Sequence, residues 1–193
     1  MSRSIKTFYP ILGLLGVKPM SGYEIKSWIE EYLGFFWNEG WGQIYPALKM
    51  LEERSLIAQI AEKATSTETR RPRKVFAITE PGKAYLARYL SAAPEDTGLR
   101  SELLLKVFFG KAAGGDAIAR HVEAELAKQR AIGACRANLE SELDSRSGTP
   151  CDGGDIKYWK YALRFGQMYN RFVQEWCESV LADMAKEEMD HGQ

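Results

Sequence analysis

The chain has 193 residues, with 26 basic and 26 acidic side chains, and 45% of its residues are hydrophobic. This length and composition allow one domain or two small ones with an apolar core, and they exclude a chain that is disordered throughout. The longest apolar stretches, such as residues 11–17, fall far short of the ~20 residues that a membrane-spanning helix needs. Arg3 and Lys6 are not followed by the apolar run of a secretory signal. We therefore expect a soluble cytoplasmic protein.

The cysteines and histidines predict neither a metal site nor a bound cofactor. Cys135, Cys151 and Cys177 are odd in number and widely spaced, which excludes a disulfide scaffold and offers no metal-binding motif. The sequence also lacks a phosphate loop, a G-x-S-x-G motif and a histidine beside a candidate nucleophile, so we expect no enzymatic activity.

The charges are divided unevenly between the two halves of the chain. Residues 1–90 carry 13 basic and 9 acidic side chains, whereas residues 91–193 carry 13 and 17. This asymmetry suggests that only the first half meets a polyanion.

The first half alternates between helical and extended patterns. Ser21 and Glu24 form a capping box that starts the second helix, and Thr79 with Pro81 predicts the start of a fourth. The predicted elements are helices at residues 5–17, 21–33 and 43–54, strands at 57–62 and 73–79 around a polar tip, and a helix after 79.

This order is typical of a winged helix-turn-helix, in which the third helix enters the major groove and the hairpin wing lies along the DNA backbone or minor groove. The third helix turns polar side chains away from its apolar face, and the wing concentrates cations that can neutralise phosphates. The residues predicted to face DNA are Gln43, Tyr45 and Lys49 on the third helix and Arg70, Arg71, Arg73 and Lys74 on the wing. Two alternatives remain: a winged-helix protein-interaction module without a specific DNA target, and a half-buried core position for Tyr45.

Five segments with fixed spacing carry a more specific signal: Ser21–Ile25, Phe36–Trp37, Gly42–Leu48, Leu51–Glu53 and Arg71–Gly82. Together they resemble the PadR family of transcriptional regulators. The resemblance implies a dimeric repressor, less often an activator, that binds an inverted-repeat operator. It also implies that Tyr23 and Lys26 face the DNA backbone. Ser55 departs from the family pattern, which has glycine after the third helix to adopt the left-handed cap.

The second half predicts helices only. The expected elements are a hinge at 94–98, helices at 99–110 and 115–145, a loop at 147–154 and a last helix at 155–188. Residues 99–109 resemble the start of the C-terminal helical region in the longer, virulence-activator-type PadR proteins. We therefore predict a mainly α protein with a winged-helix domain at residues 1–92 and an all-α dimerisation domain at residues 93–193.

The last helix has apolar residues on two faces. One set follows coiled-coil spacing, and a second stripe includes Leu163, Phe165, Met168, Phe172 and Leu181. Because one antiparallel partner covers only one face, we infer a homodimer, with a monomeric helical hairpin as the alternative. The residues predicted for the dimer interface are Trp159, Gly166, Tyr169, Val173, Trp176 and Val180.

Tryptophan is frequent in this chain, with five residues. Family members that respond to phenolic or other aromatic compounds hold them where their two domains meet. By analogy, Trp28, Trp37, Trp41 and Trp159 are predicted to line an effector pocket. Filling of the core and of interfaces is the alternative role for these rings.

Overall fold

The computed structural model describes residues 6–34, 36–37, 39–60, 74–95, 98–146 and 155–191. These residues form two compact units, one within residues 6–95 and one within residues 98–191. No helix in the described ranges is long and apolar enough to cross a bilayer.

The first unit has the predicted order of helices and strands. In chain order its elements are α1 (Phe8–Val17), β1 (Met20–Ser21), α2 (Gly22–Trp28, continued by a π-helical turn at Ile29–Leu33), α3 (Trp41–Glu53), β2 (Ile57–Ile60), β3 (Val75–Ile78) and α4 (Glu80–Leu90). The predicted winged helix-turn-helix is therefore confirmed. The wing tip between β2 and β3, which includes Arg70, Arg71 and Arg73, lies outside the described residues.

The sheet has three strands rather than the two that the sequence predicts. β3 is the central strand, with β2 on one side and β1 on the other, and both pairings are antiparallel. β1 has only two residues, and its Met20 lies opposite Phe76. Both side chains are buried, so this short pairing ties the start of α2 to the base of the wing.

Side-chain caps fix the starts of α2 and α4 as predicted. The Ser21 hydroxyl accepts the Glu24 backbone N–H at 3.3 Å, and the Glu24 carboxylate accepts the Ser21 N–H at 2.8 Å. At α4 the Thr79 hydroxyl accepts the Gly82 N–H at 3.1 Å. Each cap satisfies a backbone donor that the first helical turn leaves unpaired.

The end of α3 adopts the left-handed cap even though Ser55 replaces the glycine typical of the family. Ser55 has φ of 55°, and the Leu56 N–H donates to the Leu51 carbonyl at 2.9 Å. The Thr79 hydroxyl donates to the Ser55 carbonyl at 2.8 Å. This bond from α4 holds Ser55 in a conformation that costs a non-glycine residue of order 1–2 kcal/mol.

α1, α2 and α3 surround one apolar core. Ile11, Ile25, Ile44 and Leu51 are fully buried, and Phe76 closes the core from the sheet. These positions recur with helical spacing in the sequence, which is why the three helices were predictable.

α1 also packs against α4 through tyrosine rings. The Tyr9 ring stacks on Tyr89 and lies near Tyr85, with ring centroids 6.0 Å apart in the second pair. Burial, together with a hydrogen bond to Tyr85, raises the pKa of Tyr9 to about 12. The packing of the three rings therefore favours the neutral phenol of Tyr9 over the phenolate.

The second unit is entirely helical in its described part. Its elements are α5 (Glu102–Phe108), α6 (Gly110–Ala113), α7 (Gly115–Arg136), α8 (Leu139–Arg146) and α9 (Ile156–His191). The predicted helix over 115–145 is wrong in its continuity, because a turn at 137–138 separates α7 from α8. Asn138 favours a turn over a helix interior, and its carbonyl accepts the Glu142 N–H that begins the next helix. The predicted helix over 99–110 likewise ends at Phe108 and restarts as α6.

α7 and α9 form an antiparallel pair with an apolar core and a partly buried polar network. Val122 and Cys177 are fully buried in that core, and burial raises the pKa of the Cys177 thiol. The Asn170 amide donates to the Gln129 backbone carbonyl at 2.9 Å and to its side-chain oxygen at 2.7 Å. Since buried polar groups need partners, this network fixes the register of α7 against α9.

Candidate nucleic-acid interface

The exposed face of α3 presents Trp41, Tyr45 and Lys49, one from each successive turn. Tyr45 is 55% exposed, so it lies on the surface and is not a core residue. The opposite face buries Ile44, Leu48 and Leu51. The 3.6-residue period therefore aligns the three exposed side chains in a single row.

Two of these side chains join Tyr23 of α2 in a stack of three exposed rings, which we call the aromatic ladder (Tyr23, Trp41, Tyr45). The Trp41 ring stacks with both tyrosines, with centroid distances of 6.0 Å to Tyr23 and 5.8 Å to Tyr45. The interplanar angles of 24° and 18° define offset stacks. Trp41 was predicted for an effector pocket, so its place on this face was missed. Its spacing of four residues from Tyr45 was the signal that could have found it.

Gly22 sets the distance between α2 and α3 at the ladder. A Cβ atom added to Gly22 would lie 3.1 Å from Cε1 of Tyr45 and 3.2 Å from Cδ1 of Leu48. The first residue of α2 must therefore be small for the Tyr45 ring to lie over it.

Lys26 does not lie where the resemblance places it. It is only 5% exposed, its ammonium group is paired with Glu30, and it lies 6.0 Å from the centroid of the Trp41 ring. A charge that is buried and paired neutralises no phosphate directly. Lys26 instead makes a cation–π contact with the Trp41 ring.

The Gln43 side chain caps the start of α3 instead of extending freely into solvent. The helix begins two residues earlier than predicted, at Trp41, and the Gln43 side-chain oxygen accepts the Gly40 N–H at 2.9 Å. Its side-chain NH₂ remains the group available to a base edge. Pro46 is consequently the sixth helical residue, and its missing N–H removes one backbone bond near the start of α3.

Among the described residues, Lys49 and Lys74 supply exposed positive charge on the surface beside α3. Both line a groove of about 870 Å³ beside α3, together with Tyr45 and Glu52. Lys49 lies 3.8 Å from Glu53, but its side chain is 78% exposed, so this pair is weak and open to exchange.

The four tryptophans predicted for the effector pocket have separate environments. Trp28 packs partly buried against the core of the first unit, and the Trp37 indole donates to the Glu39 carboxylate at 2.9 Å. Trp41 belongs to the aromatic ladder, and Trp159 lies in the second unit. Among the described residues, neither the groove beside α3 nor the one described next is lined by any of them.

A second groove, of about 750 Å³, lies within the helical unit between α5, α7 and α9. Leu103, Phe172 and Trp176 supply apolar surface, and His121 and Lys128 supply polar groups. Its size and mixed lining fit a small amphipathic ligand.

α9 divides its apolar residues between a face that packs against α7 and a face that is exposed. Val173, Trp176 and Val180, predicted for the dimer interface, are partly buried and pack against the core formed with α7, because the same coiled-coil spacing serves a contact within the chain. A different row remains exposed, with exposed fractions of 44–64%. This exposed row is Tyr158, Tyr161, Phe165, Met168, Tyr169 and Phe172. Only Tyr169 was among the predicted interface residues.

The fold and this surface define a winged-helix regulator with a helical C-terminal unit. Residues 11–88 match the transcriptional regulator PadR-like family, and residues 99–185 match the virulence activator alpha C-term family. The chain therefore belongs to the PadR-like family of transcriptional regulators, in its longer form.

Individual relatives agree over nearly the whole chain. The negative transcriptional regulator PadR of Bacillus subtilis (strain 168) is 28% identical over 181 residues, which cover 93% of this chain and 97% of the relative. The crystal structure of B. subtilis PadR in complex with operator DNA has a TM-score of 0.72 at 28% identity, and the alignment covers 91% of this chain and 95% of that one. The structure of B. subtilis PadR in complex with p-coumaric acid has a TM-score of 0.68 at 26% identity, covering 96% and 98%.

Proposed function

We propose that this chain is a homodimeric transcriptional repressor that binds an inverted-repeat operator in the cytoplasm. The observation that carries the proposal is the row of exposed side chains on α3, which faces away from a fully buried core and lies beside a groove that Lys49 and Lys74 line. In this arrangement α3 enters the major groove and the wing follows the backbone. The relative solved with operator DNA supports it. We assign DNA binding to residues 1–92 and dimerisation to residues 93–193.

Dimerisation places two copies of α3 on one face of the dimer, which the binding of an inverted repeat requires. We assign the interface to the exposed row of α9 rather than to the face that packs on α7. A row of six large apolar side chains in water favours burial against an equally apolar surface, and a second copy of the chain presents one. Leu105 and Phe108 of α5, which are 59% and 80% exposed, are further apolar side chains on the surface of the helical unit.

Salt dependence separates DNA binding from the alternative of a protein-interaction module. Lys49, Arg70, Arg71, Arg73 and Lys74 give up to ten phosphate contacts in a dimer. An affinity that rests on 6–10 such contacts falls about 10³–10⁵-fold between 50 and 200 mM salt. Fluorescence anisotropy with labelled duplex DNA measures this slope. A protein that does not bind duplex DNA at 50 mM salt, or whose affinity does not fall as salt is raised, contradicts the proposed function.

The substitution Lys74→Ala is expected to weaken binding to every duplex to a similar extent. One phosphate contact is lost in each protomer, so the log–log salt slope of the dimer should decrease by about 2. Anisotropy titrations at four salt concentrations provide the measurement. A matched control is Lys83→Ala on the outer side of α4, where Lys83 pairs with Glu80, and this variant should keep the wild-type slope. If the two variants have equal slopes, Lys74 makes no phosphate contact.

The effector in this proposal is an aromatic acid of the p-coumaric type, as in the complex of the B. subtilis relative. Two sites compete for this role, namely the predicted set of four tryptophans and the groove of the helical unit. We favour the groove, because it brings the Trp176 ring, which suits an aromatic ligand, together with His121 and Lys128. Glu102 and Glu125 also line it, and Lys128 pairs with Glu125 at 3.2 Å, so a ligand carboxylate would take the place of Glu125 on the Lys128 ammonium group. The groove shares Phe172 with the exposed row, so a bound ligand can act on the dimer contact.

Saturating p-coumaric acid is expected to lower operator affinity about tenfold, within the 5–150-fold range of typical allosteric couplings. The combined variant His121→Ala and Lys128→Ala should bind DNA normally but lose this response, whereas Trp37→Phe should retain it. Anisotropy titrations with and without the acid distinguish them. A response lost in Trp37→Phe and kept in the groove variant assigns the effector to the tryptophan set. No response in wild-type protein contradicts an effector of this class.

A further inference from the structure

We infer that the aromatic ladder reads the 5-methyl groups of thymine in the operator, and that Trp41 is a specificity-determining residue for DNA. This inference rests on the proposed DNA binding and deepens it. It assigns sequence readout at the start of α3 to apolar contact rather than to hydrogen bonds alone.

The surface at the start of α3 that would meet the bases is mainly aromatic. Residues near the N-terminus of a recognition helix contact base edges, and in α3 these are Trp41 and Tyr45, which are 44% and 55% exposed. Their rings are the largest groups there. The thymine methyl is the apolar group among the base edges of the major groove, and apolar side chains recognise it.

The Gln43 amide near these rings is already partly engaged in the fold. Its side-chain oxygen accepts the Gly40 N–H, which uses one of its two lone pairs and fixes the direction of the amide before DNA binds. Lys49 lies two turns further along α3 and near Glu53. The first two turns therefore discriminate bases mainly through ring surface.

The Trp41 ring is held in place before DNA arrives. Tyr23 and Tyr45 each stack with it, and the buried Lys26 ammonium group, held by Glu30, lies over the ring at 6.0 Å from its centroid. Gly22 allows Tyr45 to approach α2 closely. A ring positioned in this way loses little conformational entropy on binding, which favours its use as a reader.

The experiment pairs protein variants with methyl-deleted DNA. The probe is a duplex recovered by selection from random-sequence DNA with the full-length protein. Each thymine of its half-sites is replaced in turn by deoxyuridine, symmetrically in both half-sites. Deoxyuridine keeps the base pairing and the O4 acceptor and lacks only the 5-methyl group. Affinities are measured by anisotropy for wild type, Trp41→Ala, Trp41→Phe and the control Leu90→Ala, since Leu90 is an exposed apolar residue of the same unit away from α3.

One thymine position is expected to respond only when the Trp41 ring is present. Burying one methyl group corresponds to about a fourfold gain in affinity, so deoxyuridine in both half-sites should weaken wild-type binding about fifteenfold. Trp41→Ala should bind the thymine duplex more weakly and show no further loss with deoxyuridine at that position. Trp41→Phe should retain part of the loss, and Leu90→Ala should match wild type. A merely structural role for Trp41 weakens all duplexes equally and produces no such coupling.

Two results overturn the inference while leaving the proposed function intact. One is a selected duplex whose binding is unaffected by deoxyuridine at every position. The other is an equal deoxyuridine loss in wild type and Trp41→Ala, which assigns methyl readout to other residues. By contrast, failure of the wild-type protein to select or bind any duplex contradicts the proposed function itself.

Discussion

Replacing both Phe165 and Phe172 by glutamate is expected to produce a monomer and to lower operator affinity about a hundredfold or more. The two rings lie on the exposed row of α9, each more than 60% exposed in the isolated chain. Burying two carboxylates in an apolar interface is strongly unfavourable. Each monomer then binds a half-site alone and loses the effective-concentration gain of 10²–10⁴ that linkage of two sites provides. Sedimentation equilibrium gives the mass, and anisotropy gives the affinity.

The control for this prediction adds the same charge elsewhere on α9. Arg171 is exposed and lies away from the row by the helical period, so Arg171→Glu should remain a dimer. Val173→Ala tests the other face, because Val173 packs in the core with α7. It should lower the free energy of unfolding of the second unit and change dimer affinity little. A dimer that survives the double substitution and dissociates with Val173→Ala assigns the interface to the sequence-predicted seam instead.

Gly82→Ala is expected to destabilise the winged-helix unit by about 3 kcal/mol or more. A Cβ atom at Gly82 would lie 2.0 Å from the Leu56 backbone oxygen and 2.9 Å from Cγ1 of Ile78. Relief requires the start of α4 to move away from β2 and β3. That movement breaks the bond from the Thr79 N–H to the Leu56 carbonyl, which is 3.1 Å long. Chemical denaturation followed by circular dichroism measures the loss.

Gly16→Ala is the matched control for the same substitution in the same unit. Gly16 lies in the last turn of α1, and an added Cβ meets no atom within 4 Å. Because alanine favours the helix over glycine, this variant should be as stable as wild type or about 0.5–1 kcal/mol more stable. Equal stabilities of the two variants would mean that α4 is not held against Leu56 in solution.

Local chemistry made much of the first unit predictable from sequence. Two helix starts are predicted by residues only two or three positions apart, Ser21 with Glu24 and Thr79 with Pro81. The structure confirms both helix starts. The apolar spacing of Ile44, which continues through the rest of α3, likewise depends only on the helical period. These signals require no knowledge of distant neighbours.

Features that depend on distant partners were missed. β1 exists because Met20 meets Phe76, more than fifty residues away, and a two-residue strand has no periodicity. Lys26 reads as a surface cation in sequence, but Glu30 and Trp41 enclose it. Trp41 stacks with Tyr23, which belongs to a different helix, so its place in the site depends on how α2 and α3 pack. Such positions are set by tertiary packing, which a local pattern does not encode.

α9 shows most clearly what a local sequence pattern leaves undetermined. Its sequence predicts two apolar faces, and the inference that both require burial follows from that pattern alone. The pattern does not state which face meets α7. The Asn170–Gln129 network and the packing of Val173 settle that choice in the folded chain, and they leave Phe165 and its neighbours exposed.

Selection of bound sequences from random duplex DNA with the purified full-length protein is the most direct test of DNA recognition by α3. We expect enrichment of an inverted repeat whose half-sites lie one helical turn, ~10 base pairs, apart. We also expect at least one thymine in each half-site at a fixed distance from the centre. A folded, dimeric protein that enriches no sequence under low-salt conditions would contradict the claim that α3 is a DNA-recognition helix.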